Sequence, residues 1–312
     1  MKKILIIVCC LILFLALVII IFPFTSKKEK YAYDDATAKF AKGKIITVDD
    51  KRVHYIVRGK GRPVILIHGF LYNTVMWKKN IDNLSKKFKV YAIDLWGWGY
   101  SERLTEDAYG FELYRAQVIG FMNALNIRRA SLVGQSMGGG ISVYTAAHNP
   151  ERIDKLILVD PAVIPYPASL TSRIYTLPFV GEFLNALPGD ALMKNNIKNI
   201  WFYDKSKVTD EYANEVIFPM NIKGSSVGAM FVLRKVLEAP LVEKEAQILA
   251  RMNIPILIVH GREDRAVPLE RSETLHRLWK TSELVVFDKA AHSPHEEYPE
   301  KFNRLAVEFL SR

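Results

Sequence analysis

Gly134-Gln135-Ser136-Met137-Gly138 is a G-x-S-x-G pattern. It directly follows the apolar run Ala130–Val133 and precedes Gly139-Gly140-Ile141-Ser142-Val143-Tyr144, which can start a helix. A chain that turns this sharply from strand to helix needs residues without bulk beside the serine. The turn then presents the hydroxyl on an elbow at a helix N-terminus, where backbone N–H groups point outward. A glycine-rich turn carrying an incidental serine is the plainer alternative, and the rest of the chain must argue against it. A serine hydroxyl is a weak nucleophile until a base takes its proton, and the base is a histidine oriented by an acid.

Seven histidines are present. His292 lies in Lys289-Ala290-Ala291-His292-Ser293-Pro294, just past the apolar run Leu284–Phe287, where a loop can reach the edge of a sheet. It is the expected base, and His295 is its competitor. His54, His148 and His276 sit in strand- or helix-like stretches and read as structural. His260 ends a strand before Gly261 and reads as packing. The acid is expected after another strand. Ile256–Val259 runs into His260-Gly261-Arg262-Glu263-Asp264, which makes Asp264 the first candidate. Asp160, after Leu156–Val159, is the second. A tetrahedral intermediate needs backbone donors. The N–H of Met137 is one, and the N–H of Phe70 in His68-Gly69-Phe70 is the other. His68 is expected to support that loop. No metal or organic cofactor is implied, because the chain has no H-E-x-x-H, no nucleotide-binding glycine loop after a strand, and no cysteine ligand set.

The elements that must hold these residues show in the hydrophobic pattern. Ile45–Val48 and Val53–Val57 read as strands around a turn at Asp49-Asp50. Continuous apolar runs at Val64–Ile67, Val90–Ile93, Ala130–Val133, Leu156–Val159, Ile256–Val259 and Leu284–Phe287 read as strands buried on both faces. Helix-like stretches at Thr74–Lys86, Phe111–Leu125 and Leu269–Lys280 lie between them. The alternation predicts an α/β fold with a mostly parallel sheet covered on both faces. About ninety residues between Val159 and Pro255 break the rhythm. They are rich in aromatics and prolines, including Pro165, Pro167, Trp201, Phe202 and Phe218. This predicts a helical insertion at 162–252, set over the carboxyl edge of the sheet where ligands bind. The core is then 44–161 and 253–312.

The chain has 312 residues with Lys+Arg 43 against Asp+Glu 33, and half of them are hydrophobic. That excludes a disordered chain. Its two cysteines, Cys9 and Cys10, exclude a disulfide scaffold. Both lie in an unbroken apolar run from Ile4 to Phe22, which as a helix of about 28 Å matches a bilayer core. The run ends in Phe22-Pro23-Phe24-Thr25-Ser26-Lys27-Lys28, without a small-x-small cleavage site, so residues 1–24 read as a retained single-pass anchor and the polar stretch 25–43 as a linker. Lysines flank the run on both sides, and charge alone does not set which side of the membrane the rest occupies. Of the net charge of +10, +4 falls in the first thirty residues. The remaining +6 is not clustered with stacking aromatics, which speaks for a solvated surface and against nucleic acid.

With these blocks in view, the chain from about Lys44 to Arg312 resembles the α/β-hydrolase superfamily. The resemblance rests on His68-Gly69-Phe70, on Asp94-Leu95-Trp96-Gly97-Trp98-Gly99-Tyr100-Ser101, on Gly134–Gly138, on Gly261–Pro268 and on His292 to Pro299. It implies the chain order Ser136, Asp264, His292 for the triad, a mostly structural role for the Asp94 block, and a cap at 162–252. Similar dehalogenases and epoxide hydrolases use an aspartate nucleophile, and Ser136 at that position argues against both. Ser136-Met137-Gly138-Gly139 resembles serine esterases and lipases. The anchor and apolar cap look like those of membrane-anchored monoacylglycerol lipase-type enzymes. The leading expectation is therefore a membrane-anchored serine hydrolase of carboxylic esters with lipid-like or aromatic acyl groups. Ring-cleavage C–C hydrolases with the same triad rank second, because their oxyanion loop is usually richer in Gly and Ser than Phe70-Leu71-Tyr72-Asn73. A non-catalytic binding protein on the same fold ranks third.

Overall fold

Eight strands form one sheet in the computed structural model, which describes residues 2–26, 28–104, 109–165, 170–187, 190–237 and 242–312. Lys27 and Pro167 lie outside the described residues. The strands are β1 (Lys44–Val48), β2 (Lys51–Arg58), β3 (Pro63–Ile67), β4 (Lys89–Ile93), β5 (Ala130–Gln135), β6 (Ile153–Val159), β7 (Ile256–Gly261) and β8 (Ser282–Phe287). Their order is β1-β2-β4-β3-β5-β6-β7-β8. β2 runs antiparallel to both neighbours, and every later pairing is parallel. Asp49 and Asp50 both take positive φ, 47° and 60°, which suits a two-residue hairpin turn whose twist matches that of the strands.

The parallel strands are apolar on both sides because both sides are covered. Ile65 and Ile67 face one core, together with Leu132, Leu156 and Ile256. Val64 and Leu66 face the other, together with Val133, Ile157 and Leu257. The first core is closed by α4 (Phe111–Ala124), α5 (Met137–His148) and α12 (Leu269–Leu278), through Val118, Phe121, Ile141 and Leu275. The second is closed by α3 (Lys78–Leu84) and α14 (Pro299–Ser311), through Ile81, Leu84, Phe302 and Phe309.

The sequence order of the central strands makes the crevice. From β3 the chain moves to β4 on one side, then returns through α4 to β5 on the other side. The loops leaving β3 and β5 therefore diverge at a switch point, where a ligand can enter. The insertion between β6 and β7 carries α6 (Leu170–Thr176), α7 (Val180–Ala186), α8 (Ala191–Asn196), α9 (Asp210–Ile217), α10 (Ser225–Val232) and α11 (Glu243–Leu249). Its last helix rejoins the core layer: Trp279 Nε1 donates to Ala246 O at 2.9 Å.

The stretch 25–43, read from the sequence as a linker, is partly helical and bonded to the rest of the chain. Lys2–Thr25 is one helix, α1, and Tyr33–Phe40 is a second, α2. The intervening chain is strapped to the insertion. Lys30 and Tyr31 donate to Asn221 O, and Glu29 accepts from the N–H groups of Gly224 and Ser226 at 2.7 and 2.6 Å. The Tyr31, Phe40 and Phe218 rings meet edge to face or tilted, and Tyr33 donates to Tyr100 O at 3.0 Å. The strap buries mainly small residues, such as Ala36 and Thr37, so no apolar stripe announced it in the sequence.

Candidate active site

β5 ends at Gln135 and α5 begins at Met137, so Ser136 alone makes the turn. Its φ of 51° and ψ of −115° lie outside the comfortable regions for an L-residue, a strain of about 1–3 kcal/mol that the surroundings must hold in place. They do so through the main chain. The Ser136 N–H donates to Val159 O at 2.8 Å, and Ser136 O accepts from Gly139, Gly140 and Ala162. Ser136 is half-buried while Ala130–Gln135 and Met137–Val143 around it are buried, so the turn exposes that one residue. Gly138 is required because a Cβ there would run into the main-chain oxygens of Ile67 and His68.

The loop after β3 abuts Ser136. A Cβ added at Gly69 would lie 3.2 Å from Ser136 Cβ and would strike the Gln135 side chain. His68 holds this loop. Its Nδ1–H donates to Gly69 O at 2.7 Å, and its Nε2 accepts from the Leu95 N–H at 3.0 Å. Burial lowers its pKa, which keeps the ring neutral for that double role. Phe70 sets its ring edge-on to Trp98, 5.2 Å between centroids. Met137, at the first position of α5, contributes one of the outward N–H groups of that helix.

His292 and Asp264 meet at 2.7 Å, Nδ1 to Oδ2. A carboxylate only accepts, so Nδ1 carries the proton and Nε2 is the basic nitrogen. The other oxygen of Asp264 accepts from the N–H groups of Ala266 and Val267 at 2.7 and 3.0 Å, which fixes the plane of the carboxylate. The histidine loop is tied down at three successive residues. Gln135 Nε2 donates to His292 O at 2.8 Å, Glu297 accepts from the Ala291 N–H at 2.7 Å, and Glu263 accepts from the Ala290 N–H at 3.0 Å. Gln135, the residue before Ser136, is therefore linked to the backbone of His292.

The two competitors part ways. His295 is in the core, against Trp77 and Phe302, with neither ring nitrogen bonded. Burial takes its pKa down to about 3. Asp160 is at the site. It is fully buried, its Oδ1 accepts from the Gly261 N–H at 2.8 Å, and it offers an oxygen within 4.8 Å of both Asp264 and His292. Burial, then the Asp264 carboxylate, raises its pKa well above the ordinary carboxyl range. Three such ligand atoms could surround a cation on count alone. His260 lies 3.6 Å from each acid, and burial lowers its pKa. Its ring is satisfied by Ser272 Oγ at 2.7 Å and Val267 O at 3.1 Å.

The Asp94 block holds loops together. Asp94 accepts from the Thr74 and Tyr100 N–H groups at 2.7 and 2.8 Å and from His54 Nδ1 at 2.7 Å. A cleft of about 40 Å³ opens between Leu71, Tyr72, Trp98 and the insertion residues Val216, Met220 and Ala229. Sequence reasoning missed Gln135, Glu263 and the pairing of Asp160 with Asp264. Gln135 occupies a variable place in the motif and carries no type signal, and two acids a hundred residues apart have no common spacing.

Residues 62–299 match the family model for the alpha/beta hydrolase fold. A 2-hydroxymuconate semialdehyde hydrolase from a Pseudomonas species is 32% identical over 264 residues, covering 81% of this chain and 88% of that one. A meta-cleavage product hydrolase structure from Pseudomonas fluorescens superposes with a TM-score of 0.74 at 29% identity, over 86% of this chain and 97% of that one. An esterase from Exiguobacterium antarcticum has a TM-score of 0.73 at 22% identity, over 87% of this chain and all of that one, which is a likeness of fold.

Proposed function

From the chain's membership of the alpha/beta hydrolase family, we propose that it is a serine hydrolase that cleaves the carbon–carbon bond beside the ketone of a dienoic ring-cleavage product. The reaction class comes from the relatives. Those relatives are C–C hydrolases, which promotes the second of the two enzymatic expectations above the first. The observation that carries the chemistry is the 2.7 Å contact between His292 and Asp264, beside a strained Ser136 turn.

In this reading His292 Nε2 takes the Ser136 proton as Oγ attacks the ketone carbon. The alkoxide that forms is held by the N–H groups of Met137 and Phe70. Collapse breaks the C–C bond, and the departing carbon takes the proton from the His292 imidazolium. A carbon leaving group needs a conjugated system to spread its charge, which the dienoate provides. Water, deprotonated by His292, then releases the acid from Ser136. Asp264 orients the ring and stabilises its charge.

Ester hydrolysis uses the same steps with an alkoxide leaving group. Its specific support is α1, an exposed helix long and apolar enough to cross a membrane, taken here as a single-pass anchor that would bring the site to lipid-like esters. One experiment separates the two. Detergent-solubilised protein is offered a dienoic ketone, followed by loss of visible absorbance, and p-nitrophenyl esters from acetyl to palmitoyl, with Ser136→Ala alongside. Ketone turnover that exceeds ester turnover and vanishes in the variant is expected. Ester turnover alone would overturn the C–C assignment and leave the serine hydrolase standing.

A further inference from the structure

Glu296 is buried to 1% exposure, four residues after the base, and it is not among the groups used above. Its two oxygens each meet a phenol: Tyr72 at 2.9 Å on Oε1 and Tyr212 at 2.5 Å on Oε2. The two phenol oxygens also contact each other within hydrogen-bond distance. The three groups come from three different elements. Tyr72 follows Phe70 in the loop after β3, and its ring stacks on Trp201 of the insertion at 4.5 Å. Tyr212 is on α9 of the insertion. Glu296 is on α13 (Pro294–Glu297), the short helix that follows His292.

Counting protons decides the state of this cluster. Three oxygen–oxygen contacts need three protons, and two phenols supply only two. A neutral carboxyl supplies the third and closes a ring: Glu296 donates to Tyr212, Tyr212 to Tyr72, and Tyr72 back to the other oxygen of Glu296. A ring in which each hydroxyl both donates and accepts strengthens every member. With an ionised carboxylate, both phenols would point at Glu296 and their own contact would be left without a proton.

The surroundings agree. Among the described residues no cationic side chain forms an ion pair with the Glu296 carboxyl. Lys79, from α3, instead donates to its main-chain oxygen at 3.1 Å, and Lys207 of the insertion donates to the neighbouring Glu297 main-chain oxygen. Ser293 faces the cluster from the histidine loop, while His295 turns its ring to Trp77. Burial lifts the Glu296 pKa to about 8, against the downward pull of the two phenols and Lys79. Burial, followed by Glu296, also pushes both phenols up, so they keep their protons.

We infer that Glu296 is a proton-gated positioning residue: protonated, it closes a hydrogen-bonded ring with Tyr72 and Tyr212 that holds the loop after β3, the insertion and the histidine loop together, and ionised, it opens that ring. The catalytic consequence rests on the serine-hydrolase reading, since the ring sets the loop that carries the Phe70 N–H. The ring itself does not rest on it.

The test uses the full chain in detergent with a fluorophosphonate as probe, because acylation of Ser136 needs the base and the oxyanion donors but no particular substrate. Wild-type acylation is expected to fall above about pH 8 through its maximal rate, with little change in the concentration dependence. Glu296→Gln keeps one donor and one acceptor in place at every pH. It is expected to acylate at the wild-type rate at pH 7 and to lose the alkaline decline. Tyr212→Phe and Glu296→Ala open the ring and should be slower at all pH values, by about ten- to a hundredfold. A Glu296→Gln variant that is as slow as Glu296→Ala, or that follows the wild-type pH profile, overturns the proposal. Infrared difference spectra supply a second arm free of any activity. A protonated-carboxyl band that Glu296→Gln lacks should be present in the wild type at pH 7 and vanish above about pH 8, on top of any band that Asp160 gives in both proteins. No difference between the two proteins overturns the ring. If Ser136→Ala still takes up the probe, the nucleophile assignment fails, while the infrared arm still decides the proton on Glu296.

Discussion

Two aspartate–histidine pairs in this molecule have the same geometry and different surroundings. His54 Nδ1 meets Asp94 Oδ2 at 2.7 Å, and His292 Nδ1 meets Asp264 Oδ2 at 2.7 Å. Both acids also accept two backbone N–H groups. The difference lies at the second nitrogen. His54 Nε2 lies 2.9 Å from Lys42 O, so the ring is used up on both sides and ties β2 to the chain entering β1. His292 instead sits on a loop whose backbone is tied by Gln135 to the residue before the strained serine. An Asp–His contact is therefore not a signature of catalysis. The partner left for the other nitrogen decides the use.

The comparison breaks first at the nucleophile. Ser136→Ala is expected to cost about 10⁶ in kcat and to abolish fluorophosphonate labelling in an intact-mass measurement, with the fold retained. Labelling that survives would place the chemistry elsewhere. Next comes the catalytic acid. Asp264→Asn should lower turnover by about 10⁴ while leaving the melting temperature nearly unchanged. Near-normal turnover would mean that Asp160, beside it, has taken over the role. The same substitution in the other pair should act on stability. Asp94→Asn leaves His54 buried without its counter-charge, and a loss of about 3 kcal/mol in urea unfolding is expected, with turnover of the folded fraction changed little. A catalytic loss as large as that of Asp264→Asn would erase the distinction.

The smallest effect is the pH dependence of the structural pair. Burial opposes the charge on His54, but Asp94 outweighs it and raises the pKa above 6.5. That contribution to stability is complete below pH 6.5 and fades as the pH climbs through the raised value. Burial pushes the Asp94 pKa up, but the His54 charge and hydrogen bond and the Tyr100 N–H outweigh it and hold the group below its ordinary 3.8. Its contribution is complete above pH 3.8 and fades on acidification through the lowered value. The stability gap between wild type and His54→Gln should therefore be widest between pH 3.8 and 6.5. A gap that is flat across unfolding curves from pH 4 to 9 would mean that the pair carries no charge.

The parallel strands were legible because strands buried on both faces must be apolar at every position, as Val64–Ile67 and Leu156–Val159 are. The nucleophile turn was legible because its backbone admits little besides glycine on either side of the serine. Spacing favoured His292 over His295 only through the loop expected after the last strand. The burial of His295 against Trp77 is what separates them physically. The helix Tyr33–Phe40 was not legible, since its hold on the rest is a few hydrogen bonds and aromatic edges made to residues far along the chain.

What the sequence alone determined is whatever depends on local backbone and on periodicity: an α/β sheet, a serine on an elbow, an insertion over its edge, and an apolar helix at the start. What the tertiary structure decided is everything that depends on which distant groups share a proton or a cavity. Asp160 came to lie beside Asp264, where burial and that second carboxyl push its pKa up. Glu296 became the closing member of a ring with two phenols. Protonation is set by burial and by charges a few ångströms away in space, and spacing along the chain carries neither.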